Sequence, residues 1–291
     1  MKVTQEIALK KIANRIRYDV LQEVFYGKSG HIGGAFSCAE ILTVLYFNEM
    51  NIDPTKPQDA LRDRFVLSKG HASAAMYATL AERGYFPKEE LLTFRKISSN
   101  LQGHPDMHKI PGIDMTSGSL GQGLSVANGM AMASKMDKSG YRVYCLLGDG
   151  ELEEGQVWEA CMTAVKYKLD NLCAIVDCNG LQLTDTTDNV KSLKFEDIEQ
   201  KFRSFGFNTI VINGHDINEI MDAFSKAEEK KDMPTVIIAR TIKGKGVSFM
   251  ENKVEWHGKT LSEENFKLAV EELTKTMSEE TDEFFAAKIE K

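Results

Sequence analysis

The chain has 291 residues, 42% of them hydrophobic and 27% charged, ordinary proportions for a globular chain and unlike those of a disordered one. Lysine and arginine number 36 against 43 aspartates and glutamates, a net charge of −7, so the basic footprint of a nucleic-acid binder is missing. No apolar run approaches a membrane span. The opening stretch MKVTQEIALKKIANRIRYDV carries charges every few positions in place of a signal core, which predicts a cytoplasmic protein.

In chain order, Ile7, Ile12, Ile16, Val20 and Val24 recur at helical steps and predict an amphipathic helix over 4–26. CAEILTVLYFNEM predicts a second helix, broken by DPTKP, and RFVLS a short strand. HASAAMYATLAERG is Ala-rich and ends in Gly84, a helix with a C-terminal glycine. Residues 98–118 show no periodicity and read as a long loop, a class that is usually functional. LGQGLSVANGMAMASKM reads as a helix despite its glycines. YRVYCLLG is a buried parallel strand that stops at Gly-Asp-Gly. VWEACMTAVKYK is helical, and NLCAIVDCN is a second buried strand. A loop over 181–192 follows, then the strand FNTIVING, a helix over 216–230 and the strand TVIIAR. A loop over 241–260 and a helix over 262–275 complete the domain, and 276–291 reads as a C-terminal tail or short helix. Strands alternating with helices predict an α/β fold, a parallel β-sheet flanked by helices.

The cysteines, Cys38, Cys145, Cys161, Cys173 and Cys178, are odd in number and form no C-x-x-C pair, so neither a disulfide framework nor a zinc site is expected. Cys145 and Cys173 sit in apolar runs and read as core. Gly27-Lys28-Ser29 mimics the end of a P-loop, but Gln22 stands where the first glycine belongs.

Ligands of open parallel sheets bind beyond the carboxyl ends of the strands. Two of those ends carry oxygen ligands suited to magnesium, Asp149 in Gly148-Asp149-Gly150 and Asn179 in Asp177-Cys178-Asn179-Gly180. The glycines let backbone N–H groups approach a phosphate. Alone, Gly-Asp-Gly is a tight turn; paired with an Asn one helix and one strand later, it points to a metal–diphosphate site. Four of the six histidines, His31, His71, His104 and His257, lie beside glycines or small residues in loops. Imidazoles in that setting can bond phosphates and sugar hydroxyls and move protons near neutral pH. His108 and His215 lack the setting and read as surface or capping residues. Met130, Met132 and Met136 read as core, with a partner-facing surface as the second reading.

GDG followed by Asn, together with SGHIGGAFS, DRFVLSKGHASA, GHPD and TSGSLGQGLSVANGMAMA, resembles the transketolase family, in family order over about residues 12–261. The resemblance implies a thiamine diphosphate cofactor held through Mg²⁺ (or Ca²⁺ or Mn²⁺). Asp149, the Asn179 side chain and the Leu181 carbonyl would be metal ligands. Gly118, Leu120, Gly150 and Glu154 would lie against the cofactor. His71 and His257 would face the diphosphate or the substrate side, and His31 and His104 the sugar hydroxyls. Glu154 and Glu159 match acidic residues near the family's subunit interface; the plainer reading makes them first-turn helix carboxylates. Lys243 and Lys245, in the KGKG run, read either as positive charge near a phosphate or as a solvated loop.

Full transketolases are about twice as long. The remainder would carry the glutamate that contacts the aminopyrimidine and most groups that read the substrate phosphate. The resemblance therefore implies the N-terminal subunit of a split transketolase. It would transfer a two-carbon ketol unit between phosphorylated sugars with a C-terminal subunit, in a two-fold heterotetramer, with no nucleic acid and no membrane. Met1 and the polar tail suit a natural subunit. Competing readings are a deoxyxylulose-phosphate-synthase-like or keto-acid-dehydrogenase-E1-like subunit, and a non-catalytic relative that keeps the fold.

Overall fold

The computed structural model describes residues 2–289, with side chains from 3 to 281. Ten α-helices and five strands are described. The strands are β1 (Arg64–Leu67), β2 (Val143–Gly148), β3 (Leu172–Cys178), β4 (Asn208–Asn213) and β5 (Thr235–Arg240). They form one sheet in the order β1-β2-β3-β5-β4, and every pairing is parallel. The helices are α1 (Lys2–Gly27), α2 (Ile32–Ser37), α3 (Ala39–Val44), α4 (Ser73–Arg83) and α5 (Gly123–Asp137), followed by α6 (Gly155–Lys166), α7 (Thr187–Lys191), α8 (Phe195–Ser204), α9 (Ile217–Glu229) and α10 (Glu263–Ile289).

The alternation of side chains along the central strands divides the core into two layers. Tyr144 and Leu146 of β2 and Cys173 and Ile175 of β3 pack with Ile16, Val20, Leu42, Tyr77 and Phe224 on one face. Val143, Cys145 and Leu147, with Leu172, Ala174 and Val176, pack with Leu124, Cys161, Ile198 and Phe202 on the other. Strands buried on both faces read as unbroken apolar runs, which is how YRVYCLLG and NLCAIVDC read. All five cysteines are free and buried.

The expected fold class is therefore present, with local differences. The loop expected over 181–192 contains the short helix α7, whose first turn Thr186 caps by accepting from the Asn189 amide at 3.1 Å. Helix α8 is not among the expected elements, although Phe195, Ile198 and Phe202 mark an apolar face at helical spacing. Residues 276–289 are neither a tail nor a separate short helix; they continue α10, which begins at Glu263. Asn14 of α1 donates to Glu280 at 2.6 Å and ties this stretch to the first helix. Gly27-Lys28-Ser29 closes α1 and follows no strand, so the P-loop setting is absent. Met130 and Met132 pack partly against the core, whereas Met136 is exposed. Among the described residues no helix is long and apolar enough to cross a membrane.

Beneath the sheet's carboxyl edge lies a buried ion pair. Arg17 of α1 grips both oxygens of Glu40 of α3, at 2.5 and 2.6 Å. The third member is His215, read from sequence as a surface or capping residue. Its ring is largely buried: Nδ1 meets Glu40 at 3.0 Å, and Nε2 accepts from the Ile242 amide at 2.8 Å. A histidine in a G-H-D turn looks solvated until the fold brings β4 and β5 side by side.

Burial raises the Glu40 carboxyl, but Arg17 and His215 outweigh it and hold it at about 2. Removing one partner strands a buried charge. Glu40→Ala is therefore expected to cost about 3–5 kcal/mol in urea unfolding. Because the native pKa lies below the unfolded one, this contribution is complete above about pH 4.5 and is lost as pH falls toward 2. Melting temperatures of wild type and variant should converge over that window.

Candidate active site

A cleft of about 470 Å³ opens at the carboxyl ends of the strands. The residues that the resemblance marks as metal ligands, cofactor contacts and sugar-facing imidazoles line it: His31, His71, His104, His257, Gly118, Leu120, Asp149, Gly150, Glu154, Asn179 and Leu181. These positions are far apart in the chain and are brought together by the parallel topology, as expected for an open α/β sheet. A second cavity of about 290 Å³ backs onto the same Asp149 and Asn179.

The floor of the cleft is a fully buried ion pair that sequence reasoning missed. Lys69, just past β1, donates to Asp177 of β3 at 2.5 Å and to the Gly34 carbonyl at 2.7 Å. Asp177 also accepts from Ser37 at 2.5 Å, from Thr241, and from the Asn179 amide at 3.3 Å. Burial disfavours both charges, yet the partner's charge and the surrounding hydrogen bonds together outweigh it: Lys69 is held above its ordinary value and Asp177 below. Gly70 makes the next turn possible, because a Cβ there would lie 2.6 Å from Ser117 Oγ and 2.8 Å from the Gly118 nitrogen. A second carboxylate, Glu151, joins three motif segments. It accepts from Ser68, from the Gly121 amide at 2.8 Å and from the Gly148 amide at 3.0 Å.

Asp149, Asn179 and Leu181 form one corner. Asp149 accepts from the Gly150 and Gly180 amides at 2.8 and 2.5 Å. Burial, and then the charge of Asp177, push its carboxyl up to about 7. Such a group is stabilised by a nearby cation. The Leu181 carbonyl already accepts from the Lys243 ammonium at 3.0 Å. Lys243 is buried, so the solvated-loop reading of this lysine does not hold; Lys245 instead pairs with Glu251 near the surface at 3.4 Å. Among the described residues no three His, Cys, Asp or Glu side chains gather as a metal cage. One carboxylate, one amide oxygen and one carbonyl make a hard, incomplete ligand set, which fits a cation completed by phosphate oxygens.

Three imidazoles form a triangle above this floor. The rings of His31, His71 and His257 lie 5.3 Å apart in each pairing. His257 Nδ1 is 2.8 Å from Lys243 Nζ, and His31 Nδ1 is buried without a partner. Burial and neighbouring cations lower all three, His31 to about 4 and His257 to about 3, so the rings are neutral at physiological pH. His104 stands apart at the exposed mouth, its ring 3.2 Å from where a Gly118 Cβ would be; partial burial and Arg95 lower it too.

The acidic residues fall differently from the plainer reading. Glu154 is the capping position of α6 but makes no side-chain cap bond, and Glu159 lies in the second turn. Glu154 lines the cleft, whereas Glu159 is exposed on the helix.

Residues 8–286 match the family described as "Transketolase, thiamine diphosphate binding domain". The chain is 46% identical over 271 residues to the 6-deoxy-6-sulfo-D-fructose transketolase subunit SqwG of Clostridium sp. (strain MSTE9), covering 93% of this chain and 98% of that one. It is 43% identical over 270 residues to an apulose-4-phosphate transketolase subunit of Phocaeicola vulgatus, covering 93% and 94%. Against the transketolase of Homo sapiens identity is 47% over 268 residues, but those cover 91% of this chain and only 42% of the human one. The crystal structure of Campylobacter jejuni transketolase superposes with a TM-score of 0.84 at 35% identity, over 94% of this chain and 43% of that one. The cleft at the strand ends, the motif order and these likenesses agree: this chain belongs to the transketolase thiamine diphosphate-binding domain family.

Proposed function

We propose that this chain is the N-terminal subunit of a two-chain transketolase. Together with a C-terminal subunit it transfers a two-carbon ketol unit reversibly from a ketose phosphate to an aldose phosphate. The observation that carries this reading is a triangle of neutral imidazoles and the buried Lys243 ammonium facing one cleft, beside the Asp149–Asn179–Leu181 corner. The two-chain form rests on coverage. The chain matches two subunit-length relatives almost end to end and spans less than half of the single-chain ones.

Thiamine diphosphate, when bound, supplies the carbanion and the electron sink that carbon–carbon cleavage and formation require. The protein's part is to bind, orient and move protons. Asp149, the Asn179 amide oxygen and the Leu181 carbonyl would hold Mg²⁺ (Ca²⁺ or Mn²⁺ offer the same hard chemistry), and with it the diphosphate. Gly118, Leu120, Gly150 and Glu154 would lie along the cofactor. Lys69 and Lys243 place positive charge beneath the anion. His71 and His257 would face the diphosphate and the substrate side. His31 and His104 would accept and return protons at the sugar hydroxyls, a role that typically contributes about 10²–10⁴-fold. Their neutral state leaves a lone pair free to take a proton. The partner would supply the aminopyrimidine-contacting glutamate and the groups that read the substrate's anionic end. Two copies of each chain around a two-fold axis would complete two sites.

Two substitutions test the assignments in the assembled enzyme. Asp149→Ala should abolish metal-dependent retention of thiamine diphosphate, read by calorimetry, while circular dichroism stays unchanged. Undiminished affinity would remove Asp149 from the metal site. His104→Ala should lower kcat by about 10²-fold or more with cofactor affinity within a few-fold of wild type. An unchanged kcat would remove His104 from the reaction.

A further inference from the structure

Arg95 lies behind the cleft wall and does not line the cavity, yet it touches both segments that deliver the sugar-facing histidines. Its Nη1 donates to Ser29 Oγ at 2.7 Å, two residues before His31. Its guanidinium packs against Gly103, the residue before His104. A Cβ at Gly103 would fall 2.4 Å from Nη2 and 2.6 Å from Cζ, so a larger residue there would push the guanidinium out of this position. The backbone at Arg95 is left-handed, with φ 58°, a conformation that costs about 1 kcal/mol or more for a residue with a Cβ. The turn is held by the Arg95 amide donating to the Leu101 carbonyl at 2.8 Å. Arg95 Nε is buried without a partner, and among the described residues no carboxylate pairs with this guanidinium. A cation with no carboxylate partner, held by Ser29 and set over the Phe94 ring at 5.7 Å, beside two imidazoles and in a strained turn, calls for a reason.

We propose that Arg95 is a positioning residue: its planar fork bridges the Ser29 and Gly103 segments and so fixes His31 and His104 relative to each other across the mouth of the cleft. A lysine could not make the same bridge, because a single ammonium lacks the flat, forked face. The consequence rests on the proposed role of His31 and His104 in handling hydroxyl protons. The bridge also places a fixed positive charge near both rings. The charged and titratable groups facing His31 are Arg95, His104 and Lys243, with the His71 and His257 rings beside it; Arg95 is the charge facing His104. His257 is governed instead by Lys243, His31 and Lys69, which makes it an internal control.

The test compares wild type, Arg95→Met and Arg95→Lys. Histidine Cε1–H titrations are followed by NMR on the chain, and kcat, KM and pH profiles are measured in the enzyme assembled with its C-terminal subunit. In Arg95→Met the midpoints of His31 and His104 should rise by about half a unit to one unit while His257 stays put, and the acid limb of kcat should move up with them. Arg95→Lys should keep the midpoints near wild type but raise the donor KM about 10-fold, with thiamine diphosphate affinity unchanged. Unmoved His31 and His104 midpoints in Arg95→Met, or an equal movement of every histidine, would overturn the proposal. So would an unchanged KM in Arg95→Lys. If the two midpoints rise and the acid limb stays fixed, the bridge stands and the proton-handling reading of the histidines falls.

Discussion

Everything in the cleft stands on the ion pair between Lys69 and Asp177. Placing two charges at full burial is costly unless geometry and further hydrogen bonds compensate, and here both are present. The 2.5 Å contact joins the end of β1 to the end of β3. The Gly34 carbonyl, Ser37, Thr241 and Asn179 then bring α2, the end of β5 and the β3 turn onto the same two groups. The pair thereby sets the relative positions of Asn179, of the helix that follows His31, and of the turn that carries His71. Loss of either partner would leave an unpaired buried charge, a fault typically worth about 3–5 kcal/mol.

The same arrangement explains the electrostatics above it. Lys69 and Lys243 lie under a group of imidazoles that burial already keeps neutral. Asp149 is pushed toward neutrality by burial and by Asp177. The Lys69 charge is answered by Asp177, so the cleft is left with the Lys243 ammonium and with Asp149, a carboxylate that a cation would stabilise. The proposed diphosphate, carried with a divalent metal, would answer both.

Much of this was legible in the sequence, for identifiable reasons. Strands buried on both faces announce themselves as unbroken apolar runs, so β2 and β3 and their polar termini were readable. Histidines flanked by glycine marked the lining because such turns bring backbone close to a ligand. The Lys69–Asp177 pair was not legible, and Lys243 was legible only as one of two readings. A lysine in SKGHA or KGKG looks solvated, and Asp177 looks like part of a turn, until strand order places β1, β3 and β5 ends together. His215 was misread for the same reason. Helix α8 is another matter: Phe195, Ile198 and Phe202 carried the period in plain sight. The boundary expected at 275 falls inside α10, where the sequence changes composition without any helix stop signal.

The central claim is that this chain builds half of a thiamine diphosphate site. It is tested most directly by titrating thiamine diphosphate with Mg²⁺ into the chain alone and into the chain assembled with a C-terminal transketolase subunit, while assaying two-carbon transfer in both. Weak cofactor retention and no transfer are expected for the lone chain, with tight retention and transfer on assembly. Full affinity and turnover by the lone chain would contradict it.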